Sequence, residues 1–245
     1  MHSLIVLSHP EPASFNGAMA SLASEVLSGL GHTVELSDLH TEAFDPVECA
    51  RHYRHRQDAS AFSALAEQRH AWNAGALPGD VRREVDRLER ADLVILQFPL
   101  WWHAQPAMLK GWFDRVFVSG GLYTSRMRYD SGYFRGKRAL LSVTTGAPAE
   151  AMGPGSRGGD IERLLWPIEY SLYYVGFTVL PAFVVHGVQG HGFSYRGEAA
   201  FEAYIETCKA DWVRRLESLD QDQPRRFPGW DDWDSSGRAK SGRRD

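Results

Sequence analysis

The chain has 245 residues, 43% hydrophobic and 12% aromatic, enough for one large domain with a full core. A formal net charge of -4 and a pI near 6.2 give no ground for a nucleic acid or an anionic membrane as partner. Two cysteines, Cys49 and Cys208, stand without CxxC or finger spacing, which excludes a disulfide framework and a structural zinc site.

Residues 3–7 form a continuous apolar run closed by Ser-His-Pro, as expected of a strand buried on both faces. The run is too short for a secretory core or a membrane span, so the expected location is the cytoplasm. Residues 15–30 carry Phe15, Met19, Leu22, Val26 and Leu30 at helical spacing, and Gly31 ends the helix. Residues 33–39 alternate as a second strand. Strand, helix and strand within forty residues make a βαβ unit, which requires a right-handed crossover and parallel pairing.

Residues 40–79 break the rhythm. They are polar, rich in His, Arg and Ala, and punctuated by Pro46, Gly75, Pro78 and Gly79, so they read as an insertion with one or two short helices. Alternation then resumes: helix over 80–90, strand over 93–98, helix over 106–118 with Pro106 in its first turn, strand over 138–144, helix over 161–175, strand over 177–185 and helix over 199–219. The sum is an α/β domain over residues 1–219, a doubly wound five-stranded parallel sheet with helices on both faces. Periodicity is lost over 220–245, yet Phe227, Trp230 and Trp233 imply that part of this tail docks on the body or on a partner subunit, with its end mobile.

Ligands of open parallel sheets bind at the carboxyl ends of strands, and three loops there are unusual. After strand one come His9, Ser14, Phe15 and Asn16. Ser14 is an N-cap, and the helix start beyond it offers N–H groups and a positive dipole end to a phosphate. Neither GxGxxG nor GxxxxGK[ST] is present. After strand three, Pro99, Leu100, Trp101, Trp102 and His103 form a stiff aromatic wall against which a flat conjugated ring would stack. After strand four, Thr144, Thr145 and Gly146 leave bare backbone for close approach, and the glycine-rich residues 153–160 could close as a lid. Singly, these loops have plainer readings: a capped turn, a cover over the core, a surface loop. Together they describe a slot for a planar ring with a phosphate-bearing tail, which is a flavin.

Other groups suggest less. His52 and His55 stand among Arg51, Arg54 and Arg56 with no carboxylate in the spacing, and read as a solvated basic face or a neutraliser of an adenosine-side phosphate. Asp114 and Arg115 read as a helix ion pair or a dimer contact. Cys49 and Cys208 have no adjacent base and read as inert. His186 and His191, beside Gly187 and Gly190, read as turn residues near a dimer surface.

Residues 98–123, FPLWWHAQPAMLKGWFDRVFVSGGLY, resemble the signature of the NAD(P)H:quinone oxidoreductases, the DT-diaphorase family. The likeness extends through ADLVILQFPL, Thr144-Thr145-Gly146, Leu165-Trp166-Pro167-Ile168 and Tyr174-Val175-Gly176-Phe177, over roughly residues 3–215. It implies a flavodoxin-like homodimer with shared sites, each holding a flavin; the insertion favours FAD over FMN. It implies a ping-pong cycle in which NADPH or NADH gives hydride to the flavin and a quinone-like acceptor (or an azo or nitro compound) takes it. By this resemblance His9, Ser14, Phe15 and Asn16 meet the phosphates and ribityl chain. Pro99, Leu100, Trp101, Trp102, His103, Thr144, Thr145 and Gly146 line the isoalloxazine. Tyr123, from the partner subunit, and His103 are the candidate catalytic residues, and no metal is implied.

Four positions depart from the animal enzymes of that family, one of them His103, which stands where an aromatic residue lies beside the flavin. Met152 and Gly158 stand where a charge-steadying tyrosine and histidine are found, and Ser125 replaces a second pocket tyrosine. Backbone N–H groups of the glycine-rich loop, or Arg157, would then have to steady the reduced flavin. Two further readings stay open: a regulatory ancillary subunit of a potassium/proton antiporter, and a flavodoxin-type electron carrier.

Overall fold

A computed structural model describes residues 1–188 and 196–240; Gly190, His191 and the last five of the ten end residues expected to be mobile (236–245) lie outside the described residues. The central strands are β1 (His2–Leu7), β2 (Thr33–Asp38), β3 (Leu93–Pro99) and β4 (Arg138–Thr144). With β5 (Thr178–Val179), the order is β2-β1-β3-β4-β5, all parallel. Because side chains alternate along a strand, β1 sends Leu4 and Val6 into one core, with Val94, Leu96, Trp112 and Phe177. Ile5 and Leu7 go into the other, with Ile95, Met19, Leu27 and Trp212. Helices α1 (Phe15–Gly29) and α6 (Glu198–Glu217) cover the second face, pinned where Trp212 Nε1 donates to the Met19 carbonyl at 3.1 Å. Helices α3 (Gly79–Arg90), α4 (Ala107–Val116) and α5 (Ile161–Tyr174) cover the first.

Two expected elements differ. Residues 177–185 are not one strand but two, β5 (Thr178–Val179) and β6 (Phe183–Val185), both paired with β4. Pro181 lies between them, and proline has no N–H for the ladder, so the five-stranded expectation becomes a six-stranded sheet. Pro106 is the N-cap of α4 rather than part of its first turn.

The insertion holds a 3₁₀ turn at Ala50–His52 and α2 (Ala64–Asn73). Glu67, 1% exposed, ties it together by accepting from Gln57 N at 2.8 Å and Arg56 Nε at 3.2 Å. His52 does not lie on a solvated face: its Nε2 is 3.0 Å from Asp45 Oδ2. The Val47 N–H, Arg51 and His52 hold the Asp45 carboxyl well below its usual range. The carboxylate comes from seven residues upstream, which HxxH spacing could not reveal. His55 is exposed, as expected. Cys49 does have a base nearby, with Sγ 3.9 Å from both ring nitrogens of His52. A sulfur equidistant from both nitrogens is off the lone-pair line of either, so the contact is not a proton-transfer geometry. Asp114 and Arg115 pair with other residues rather than with each other. Asp114 pairs with Lys110 at 2.5 Å, while buried Arg115 pairs with Asp80 and donates to the Asp45 carbonyl.

The tail packs on the body. Phe227 stacks on Tyr173 with centroids 4.9 Å apart, and Trp230 Nε1 donates to the Arg128 carbonyl at 3.0 Å. Trp230 and Trp233 close around Tyr129 at 5.3 and 4.8 Å.

Candidate functional site

At the carboxyl ends of β1, β3 and β4 the three loops enclose a cavity of about 820 Å³. Its first wall is His9, Ser14, Phe15 and Asn16. Ser14 Oγ accepts from Gly17 N at 3.1 Å, capping α1 and pointing the helix start at the cavity. That end attracts an anion without any basic side chain. His9 Nδ1 is 3.1 Å from both N and O of Glu11, which fixes its ring, and the ring tilts against Trp101 with centroids 5.9 Å apart.

Pro99, Leu100, Trp101 and Trp102 form the second wall. Trp101 and Ala104 exchange backbone hydrogen bonds at 2.9 and 3.0 Å, and between them Trp102 and His103 have φ of +50° and +63°. Two consecutive left-handed residues make a type I′ turn. Non-glycine residues are uncommon there, and their side chains cost strain. Trp102 is 96% exposed.

Thr144, Thr145 and Gly146 make the third wall. Thr145 donates its hydroxyl to the Ala147 carbonyl at 2.8 Å, so His186 Nδ1, 3.1 Å away, must donate to it. Burial holds His186 below its ordinary pKa, consistent with a neutral ring. A Cβ on Gly146 would meet nothing nearer than the Val188 carbonyl oxygen at 3.9 Å. The missing side chain therefore serves no packing need of the chain itself; it leaves backbone bare toward the cavity. An anion-binding helix start, an aromatic wall and this open floor, in a volume of the usual ligand-site size, fit a flavin.

Eleven of the expected residues thus share one cavity: His9, Ser14, Phe15, Asn16, Pro99, Leu100, Trp101, Trp102, Thr144, Thr145 and Gly146. Val188, Phe201 and Ile205 complete it. The last two are spaced i, i+4 on α6 and look like core positions in sequence. His103 is exposed and turned toward the glycine-rich loop, 3.9 Å from where a Cβ on Gly159 would stand. Tyr123 lies past the far end of α4, in a separate cavity of about 300 Å³ with Phe113, Phe117 and Tyr174. Met152 is buried, and a Cβ on Gly158 would stand 2.7 Å from its Sδ, so these two positions lock each other. Arg157 is exposed.

Residues 1–210 match the family described by its flavodoxin-like fold. The chain belongs to that family. Among its relatives is the rat ribosyldihydronicotinamide dehydrogenase [quinone], 38% identical over 223 residues that cover 90% of this chain and 93% of the relative. The rat NAD(P)H dehydrogenase [quinone] 1 is 37% identical over 227 residues, covering 92% and 80%. Among solved structures, a Methanothermobacter marburgensis NAD(P)H:quinone oxidoreductase superposes with a TM-score of 0.68 at 26% identity, covering 90% of this chain and 97% of that one. The cavity lies at the carboxyl ends of parallel strands, the place where open sheets of this kind bind their ligands.

Proposed function

We propose that the protein is a flavin-dependent NAD(P)H dehydrogenase that reduces quinones, with azo or nitro compounds as a variant of the same two-electron chemistry. One observation carries the reading: three loops from three separate strands close on a single cavity whose floor is glycine backbone and whose side is Trp101. The quinone-reductase names of full-length relatives support it over a regulatory subunit or a single-electron carrier.

When bound, a flavin supplies a ring that accepts hydride from a nicotinamide and passes it to an acceptor. The start of α1 would hold its phosphate end, Trp101 and Leu100 would flank the ring and exclude water, and Gly146 would let backbone N–H groups approach its polar edge. The insertion over residues 40–79 supports FAD over FMN. A shared-site homodimer accounts for two features of one chain: Trp102 without cover, and Tyr123 away from the cavity it is expected to serve. No helix among the described residues is long and apolar enough to cross a membrane. Two unpaired cysteines support a cytoplasmic location.

The test is direct. Flavin released from purified protein is identified, and NADH and NADPH oxidation is followed with a benzoquinone and with an azo dye. A colourless protein that takes up neither FMN nor FAD sinks the reading.

A further inference from the structure

Under the cavity floor three polar side chains are joined inside an otherwise apolar sheet. Gln97, 1% exposed near the end of β3, donates from Nε2 to Asn16 Oδ1 at 2.9 Å. Asn16, 4% exposed in the first turn of α1, donates from Nδ2 to Thr144 Oγ1 at 3.0 Å. Thr144 closes β4 and lines the cavity. The chain of bonds therefore ties together three elements that carry the three walls.

Its direction has a consequence. Thr144 Oγ1 already accepts from Asn16, so its own proton is left to give. Asn16 Oδ1 is a poor recipient: it stands at 3.3 Å on the same amide whose Nδ2 already donates, and one hydroxyl cannot point both a lone pair and its O–H at two atoms that lie so close together. With both amides reversed, Thr144 would give its proton to Asn16, and the Gln97 N–H would lose its Asn16 acceptor. The observed arrangement leaves the Gln97 Oε1 without a partner instead. An under-used buried carbonyl is tolerated better than an orphaned N–H. The free proton of Thr144 is thus directed at the cavity by residues that do not themselves need to reach the ring.

We propose that Gln97 and Asn16 are positioning residues that hold Thr144 as a hydrogen-bond donor toward the flavin ring and so favour its reduced form. This rests on the flavin reading above. Hydride adds negative charge to the ring system, and a fixed donor in a water-poor site stabilises that charge more than it stabilises the neutral oxidised ring. Met152 and Gly158, locked against each other, offer no side-chain donor for that task.

The full chain and its variants are loaded with FMN or FAD. The oxidised-flavin dissociation constant and the two-electron midpoint potential are then measured, with circular dichroism to verify folding. Thr144→Val should weaken binding of reduced relative to oxidised flavin about tenfold, a midpoint about 30 mV more negative. Thr144→Ser should keep the native potential. Gln97→Met offers no donor to Asn16 Oδ1, which leaves that oxygen free to take the Thr144 proton. It should reproduce the shift of Thr144→Val, and combining the two should add nothing further. Gln97→Leu, also without a donor or a charge, answers the same question if the methionine variant does not fold. Equal weakening of both redox states by the Gln97 variants, or additive shifts in the double variant, overturns the relay. So does flavin bound at an unchanged potential throughout. Failure of the native protein to take up any flavin overturns the cavity reading first and the relay with it.

Discussion

A Cβ placed on Gly17 would stand 2.0 Å from the carbonyl oxygen of Pro12. The loop before α1 can turn against the helix only because residue 17 has no side chain. Gly17→Ala should therefore push the loop outward and cost about 1–3 kcal/mol. The displacement falls on the wall proposed to hold the phosphate end. Thermal melts of flavin-free and flavin-loaded protein check this: the variant should lose stability in both and gain less from flavin than the native chain does.

Trp102 is 96% exposed at a strained φ of +50°, so its indole contributes little to the stability of one chain. Trp102→Ala should leave the melting temperature of flavin-free protein near that of the native chain when both are melted at concentrations too dilute to dimerise. Losing an aromatic contact worth about 1 kcal/mol should lower kcat/KM for quinone several-fold. Steady-state kinetics beside a thermal melt separate the two effects, and a large stability loss with unchanged kinetics would refute the assignment of Trp102 to a ligand wall.

Glu169 is 1% exposed, and burial raises its pKa above the ordinary value against the opposing pull of Arg225, whose Nε lies 3.2 Å away. A carboxyl with a raised folded pKa is held protonated more firmly in the folded state. Its contribution to stability is present at acid pH and is lost as pH rises through the folded value. Glu169→Gln cannot ionise and keeps the Arg225 hydrogen bond through its carbonyl. The melting temperature of the variant should exceed the native one by an amount that grows from acid toward neutral pH. A pH series of melts, read for the sign of that trend, decides it.

The Trp230 indole fastens the tail by its hydrogen bond to the Arg128 carbonyl and a T-shaped contact with Tyr129, beside a backbone bond to Asp130 that does not depend on the side chain. Trp230→Ala removes both, at a cost of about 2 kcal/mol in this half-buried setting. Limited proteolysis should then cut the tail ahead of the body, whereas the native tail resists. Equal resistance in both would mean that the docking does not depend on this side chain.

Much of the fold can be read from one chain because it is built from local signals. Leu4–Leu7 and Leu93–Leu96 are continuous apolar runs of strand length, and strands of that kind have one stable setting, the middle of a parallel sheet covered on both faces. Parallel pairing with right-handed crossovers then puts the loops after β1, β3 and β4 on one edge, so the cavity follows from chain order and loop composition. The break at Pro181 was visible as a residue, but its effect depends on which neighbour needed the lost N–H, and that is a property of the sheet.

What the sequence by itself determined is the architecture, the edge where a ligand sits and the three walls around it. The tertiary structure alone decided how distant side chains meet there. Asp45 reaches His52, Phe201 and Ile205 turn to the cavity, and Gln97, buried in an apolar strand, finds Asn16 eighty-one positions earlier. Periodicity reports the face on which a residue lies. Hydrogen-bond direction is set by whichever partner the packed chain brings within about 3 Å, and no spacing along the sequence carries that information.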